Sequence, residues 1–189
     1  MTERHQSRLG LWDKSYEGNP SEQMYGDPTT AKIAGAFLNQ PDIERIEDWG
    51  CGFGGFKAYI GDRQTYVGVD GSKSHAATVI ADLETYTSDV DAIHMRGVLA
   101  HNPNWQSILR NSIASFNKRM VLTLFTPFQE TTSVIDRMPD FNNTGTEMID
   151  IGFARQDIVK HFSGLTWFSL ENIKTDTKYH VEHVFFLEK

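Results

Sequence analysis

The residues of this chain whose types and spacing can do chemistry are Asp48, the run Gly50-Cys51-Gly52-Phe53-Gly54-Gly55, Asp70, Asp82, Arg96 and His101. Glycines let a backbone turn approach a ligand closely, and a helix that follows offers unpaired N–H groups and its positive dipole end to an anion. A carboxylate or a phosphate suits such a place. Gly50, Gly52 and Gly55 satisfy G-x-G-x-x-G, and Asp70 follows about 20 residues on, the spacing of a dinucleotide-binding unit. A purely structural glycine turn reads the same way. Histidine changes charge near neutral pH, so His101 is the candidate general base for a hydroxyl or amine; it equally can position its loop or cap the next helix. Arg96 is placed either to clamp a carboxylate or phosphate or to form a salt bridge on the rim. Cys51, the only cysteine, has no partner that would make it a nucleophile and suits its turn as a small residue. His75, His161, His180 and His183 show no paired spacing with acids, so no metal site is expected.

The elements that must hold these residues alternate along the chain. A helix over Thr29–Leu38, ended by Pro41-Asp42, precedes a strand over Ile43–Trp49, which runs into the glycine turn and a short helix through Ile60. Strands over Thr65–Val69, near Thr78–Ala81 and over Asp91–Arg96 follow, the second stopping at Asp70-Gly71-Ser72 and the third at Asp82. Trp105, Ile108, Leu109, Ile113 and Phe116 recur at the spacing of a buried helical stripe, with Pro103 in the first turn. A strand over Arg119–Phe125 breaks at Pro127. Residues 127–153 show no clean period and read as a long loop or lid carrying Phe128, Met138, Phe141 and Met148. A helix over Ala154–Phe162 and two β-rich runs, Leu165–Thr175 and Tyr179–Glu188, close the chain, the runs pairing as a hairpin. Strands alternating with helices predict an α/β fold, a mostly parallel sheet covered on both faces, with its ligand beyond the carboxyl ends of the strands.

Asp48 extends the glycine turn to D-x-G-x-G-x-G, standing as Asp48-Trp49-Gly50-Cys51-Gly52-Phe53-Gly54. With this motif, most of residues 43–189 resembles the class I S-adenosylmethionine-dependent methyltransferases. The resemblance implies a single Rossmann-like domain with a seven-stranded sheet, because that family inserts its seventh strand antiparallel. It also implies that Asp48, Gly50, Cys51, Gly52 and Gly54 hold the methionine part of S-adenosylmethionine. Asp70, with Gly71 and Ser72, matches the ribose-binding acid, and an ionised carboxylate, having only acceptor sites, suits two hydroxyl donors. A helix N-cap is the structural alternative for Asp70. Asp82 and Leu83 match the adenine contacts. The stretch Asp91–His101 resembles the family's fourth strand and following loop, which puts Met95 and Arg96 beside the cofactor and His101 near the acceptor. Trp12-Asp13-Lys14-x-Tyr16 looks like the opening of the thiopurine and tellurite-resistance type, where aromatics close over the cofactor. A ring face attracts a sulfonium by about 0.5–2 kcal/mol; plain packing of an amino-terminal helix is the alternative. Asn102-Pro103-Asn104-Trp105 has only a superficial likeness to the N-P-P-aromatic motif of enzymes that methylate amino groups. It lacks the second proline and follows the Val98-Leu99 loop, so a helix start explains it.

These readings divide the chain into a cap (1–40), a cofactor-binding half (43–126), a lid or substrate loop (127–153) and a closing helix and hairpin (154–189). The expected activity is methyl transfer from S-adenosylmethionine to oxygen or nitrogen of a small molecule. Two other readings stay open, a nicotinamide-dependent oxidoreductase and a non-catalytic S-adenosylmethionine-binding module. Twenty-five acidic residues against 18 basic ones leave a net charge of −7, which disfavours unaided nucleic-acid binding. The polar start MTERHQSRLG, the lone cysteine and the shortness of the apolar runs point to a cytoplasmic protein without membrane contact, a monomer or homodimer.

Overall fold

The computed structural model describes residues 12–17, 26–141 and 147–189; residues 1–11 and 18–25 of the expected cap lie outside them. Among the described residues nine strands form in chain order: β1 Arg45–Trp49, β2 Thr65–Asp70, β3 Val79–Ile80, β4 Val90–Arg96, β5 Phe116–Leu124, β6 Ser133–Met138, β7 Met148–Gly152, β8 Trp167–Lys174 and β9 Val181–Glu188. Helices are α1 over residues 12–17, α2 Pro28–Leu38, α3 Trp105–Ser115 and α4 Arg155–Val159. Seven strands make one sheet in the order β3-β2-β1-β4-β5-β9-β8. All neighbours are parallel up to β5, and β9 and β8 then run antiparallel as the expected hairpin.

Side chains alternate across each strand, so the central strands feed two cores and read as apolar on both sides. Ile46, Ala92, Val121, Val184 and Phe186 face α2, where Ala31, Ala34 and Leu38 pack on them. Ile93, Met95, Met120, Leu122, Phe185 and Leu187 face the other layer with Trp105, Ile108 and Leu109 of α3. α2 starts where Asp27 accepts the Thr29 N–H at 2.7 Å and Pro28 occupies the first helical position, a cap that satisfies an otherwise unpaired donor. Among the described residues no helix is long and apolar enough to cross a membrane.

Four expectations change. The stretch 127–153 is not a structureless lid: β6 and β7 pair antiparallel into a second, two-stranded sheet. The glycine turn leads into a five-residue 3-10 helix, Gly55–Tyr59, too short to present a substantial dipole. α3 begins at Trp105, with Asn104 at the N-cap position but no side-chain cap bond, so Pro103 lies before its first turn. The Ala154–Phe162 helix shortens to α4 plus a 3-10 turn over Lys160–Phe162.

Candidate functional site

A cavity of about 480 Å³ opens beyond the carboxyl ends of β1, β2 and β4, walled by α1, the β6–β7 sheet and the turn between β8 and β9. Of the residues singled out in the sequence, Trp12, Asp48, Gly50, Cys51, Gly52, Asp70, Gly71, Ser72, Asp82, Leu83, Arg96 and His101 line it. Met95 does not: it is fully buried in the core on the α3 side of the sheet, because its position on β4 points it away. Gly54 also stands back, with φ +75° and a Cβ position only 2.6 Å from Ala76 Cβ.

The glycine turn is tied inward. Gly50 and Cys51 donate to the Val69 carbonyl at 2.7 and 3.2 Å, Gly54 donates to the Cys51 carbonyl, and Gly52 donates to Asp70 Oδ2 at 3.0 Å. The turn therefore offers close approach rather than a row of N–H donors. Gly50 is fixed by sterics as well, since at φ +75° a Cβ would lie 2.2 Å from Val98 Cγ2. Asp70 Oδ1 accepts the Ser72 N–H at 2.9 Å. Burial pushes the Asp70 carboxyl up to about 6, with Asp48 and Asp13 adding to the rise and the two backbone N–H groups opposing it. Burial also raises the Cys51 thiol, reinforced by Asp48 and Asp70, so it holds no nucleophilic thiolate. Asp82 accepts the Glu84 N–H at 3.0 Å.

Asp48 is engaged on both oxygens, by His94 Nδ1 at 2.7 Å and the Tyr66 hydroxyl at 2.7 Å. His94 stands directly beside Asp48 in the β1–β4 register and stacks on Phe56 with centroids 3.6 Å apart. Arg96 turns its guanidinium onto Glu182 of β9, Nη2 to Oε1 at 2.5 Å, while the Thr30 hydroxyl of α2 donates to Oε2 at 2.5 Å. Of the two readings of Arg96, the structure places the salt bridge.

His101 lies on the opposite wall in a short 3-10 turn, Leu99–His101. Its Nδ1 is 3.0 Å from the Ile149 carbonyl and 3.3 Å from Asp150 Oδ1. A carbonyl only accepts, so Nδ1 is the donor, which makes Nε2 the lone-pair nitrogen of the neutral ring. Asp150 is 1% exposed; Lys178 Nζ and the Tyr179 hydroxyl hold its Oδ2 at 2.7 and 2.8 Å, and among the described residues Oδ1 has no hydrogen bond of its own. Burial pushes this carboxyl up, but His101, Lys178 and Tyr179 beside it prevail and bring it down to about 2. The same pairing, with Asp136, raises the Lys178 ammonium against the opposing effect of its partial burial.

Sequence reasoning missed His94, Asp150, Lys178 and Tyr179. For His94 a signal existed, a polar residue inside an otherwise buried central strand. Asp150 had none, because only the packing of β7 against the Leu99–His101 turn brings it behind His101. Trp12 lies against His101 and Phe141, with centroids 5.6 and 5.8 Å away. Asp13 accepts the Lys73 N–H at 2.7 Å, which tethers α1 to the loop after β2.

No protein-family model matches the sequence, and no curated protein matches it. Solved structures do. The Burkholderia thailandensis 1,6-didemethyltoxoflavin-N1-methyltransferase, crystallised with 1,6-didemethyltoxoflavin and S-adenosylhomocysteine, superposes with a TM-score of 0.73 at 13% identity, over 100% of this chain and 91% of that one. The magnesium protoporphyrin IX methyltransferase of Synechocystis, with S-adenosylmethionine bound, gives 0.68 at 15% identity, over 100% and 98%. A S-adenosylmethionine-dependent methyltransferase from Methanosarcina mazei gives 0.57 at 14% identity, over 80% and 94%.

Proposed function

From this shared fold, the class I methyltransferase fold over the whole chain, we propose that the protein is an enzyme that transfers a methyl group from S-adenosylmethionine to an oxygen or nitrogen of a small molecule. One observation carries the reading: Asp70 and Asp82, which end β2 and follow β3, meet the glycine turn after β1 in a single cavity. That convergence at the carboxyl ends of parallel strands, where the order turns from β1 to β4, suits a nucleoside joined to an amino acid. A volume of about 480 Å³ is within the range of small-molecule sites.

In this reading Asp70 accepts from the ribose hydroxyls, Asp82 and Leu83 read the adenine, and Asp48 acts through the turn that it braces with His94 and Tyr66. Gly50, Cys51 and Gly52 let the methionine part approach the backbone. Trp12 and Tyr16 present rings to the sulfonium. The cofactor supplies a methyl group already activated by positive charge, so the protein's task is alignment of the acceptor and removal of its proton. His101 takes that proton at Nε2, and Asp150 behind Nδ1 balances the charge gained. Residues 1–40 serve as the cap, 43–126 as the cofactor-binding half, 127–153 as the acceptor wall and 154–189 as the closing unit.

Calorimetry tests the assignment. S-adenosylhomocysteine is expected to bind and NAD not, with Asp70→Ala weakening the former by about tenfold or more. Binding of NAD without S-adenosylhomocysteine would replace this reading by an oxidoreductase. Binding without turnover across oxygen and nitrogen acceptors would leave a cofactor-binding module.

A further inference from the structure

The cavity wall is a continuous belt of rings. Phe53 meets Tyr16 with centroids 5.0 Å apart, Tyr16 meets Trp12 at 6.1 Å, and Trp12 meets both Phe141 and His101 at 5.8 and 5.6 Å. His101 in turn meets Phe125 at 5.3 Å. All six rings line the cavity. They come from α1, the glycine turn, the loop after β4, the end of β5 and the segment after β6, elements far apart in sequence. The half nearest the glycine turn is the cofactor's share in the reading above. Phe141, His101 and Phe125 remain for the acceptor, with Trp12, which touches both Tyr16 and His101, shared between the two ligands and Met138 and Met148 as adaptable apolar filling.

Charge narrows the choice further. Among the described residues, the lining carries seven carboxylate side chains against one arginine and one lysine, and Asp27, Glu84, Glu147 and Asp150 of these lie outside the set given to the cofactor. Both cations are committed: Arg96 to the fully buried Glu182, and Lys178 to Asp136 and Asp150. An anionic acceptor would enter an acidic cavity whose cations already have partners, and its desolvation would go uncompensated. A ring face, by contrast, gains from edge-to-face and offset contacts with a belt of this kind.

Resting on the methyltransferase reading, we infer that the acceptor is a flat aromatic molecule, neutral or cationic, whose ionisable hydroxyl or ring N–H is presented to His101. The Trp12–Phe141–His101–Phe125 stretch of the belt holds its ring, and the acidic lining excludes phosphorylated and carboxylated compounds. Methyl transfer to such an acceptor forms the bond from its oxygen or nitrogen to carbon, breaks the carbon–sulfur bond of the sulfonium, leaves the electron pair on sulfur and passes the acceptor's proton to His101.

A matched probe series tests the inference on the full-length protein, with and without saturating S-adenosylhomocysteine. β-Naphthol, its fully hydrogenated counterpart and β-naphthoate are titrated by calorimetry. β-Naphthol is expected to bind about tenfold more tightly than either, the combined effect of two lost ring contacts or of one uncompensated charge. Trp12→Leu and Phe125→Leu should each narrow the gap to the hydrogenated alcohol by about threefold. Trp12 lies on a surface helix, so its variant keeps the test informative where Phe125→Leu fails to fold. The inference is overturned where none of the probes binds, where the hydrogenated alcohol or the naphthoate binds as tightly as β-naphthol, or where the folded variants leave the preference unchanged. Failure of S-adenosylhomocysteine to bind in the same titration would strike the methyltransferase reading instead, since the ring preference is read without it.

Discussion

Two carboxylates in one cavity are driven in opposite directions by their surroundings. Asp70 accepts two backbone N–H bonds, yet burial and neighbouring acids carry it up to about 6. A folded value above the ordinary 3.8 means that the fold loses stability as pH rises from about 4 through about 6. The ionised form is nevertheless the one that offers only acceptors to a diol. Affinity for S-adenosylhomocysteine is therefore expected to fall about tenfold between pH 7 and pH 5, and calorimetry across that range checks it. Asp150 is the opposite case, ionised and aimed at the Nδ1 side of His101. Asp150→Asn should slow methyl transfer by about 10- to 100-fold while leaving S-adenosylhomocysteine affinity unchanged, and should add nothing further in a His101→Gln background. Single-turnover rates of the two single variants and the double variant decide this; additive losses would make Asp150 merely structural. Asp70 and His101 were legible in the chain because a strand-ending acid and a post-strand histidine are local features. Asp150 was not, since it reaches His101 only beside the Ile149 carbonyl, 48 residues along the chain from His101.

At the scale of elements, the Arg96–Glu182 pair joins β4 to β9 with α2 bonded through Thr30. Arg96→Leu would leave Glu182 buried and uncompensated, a loss of about 3–5 kcal/mol, and Arg96→Leu/Glu182→Leu should regain most of it. Urea denaturation measures both; a stable single variant would return Arg96 to a ligand-binding role. The strands and the closing hairpin could be read from apolar runs and turn residues, because the central sheet is buried on both faces. The β6–β7 pair escaped for two physical reasons. A bulge between Val134 and Asp136 interrupts the alternation of β6, and β7 is buried at all five positions, so neither strand shows a period of two.

For the whole molecule, a ligand that binds only the folded state raises its stability by about 2.7 kcal/mol at a hundred times its dissociation constant. For a chain of this size that is about 5–10 °C in Tm. S-adenosylhomocysteine is expected to produce this shift in a thermal melt and NAD none. In acid the sign of Asp150 is simple: its folded value near 2 lies below the ordinary 3.8, so its contribution is complete above about 4 and is lost as pH falls through about 2. Asp150→Asn should flatten that limb of a pH-dependent melt. The alternation of strand and helix, the glycine turn, and acids at the strand ends were all readable in order along the chain, because backbone sterics and burial patterns act over a few residues. Which acids pair, which ring meets which, and that Arg96 bridges to Glu182 were decided by strand register and by packing between segments up to 152 residues apart, contacts that no local pattern encodes.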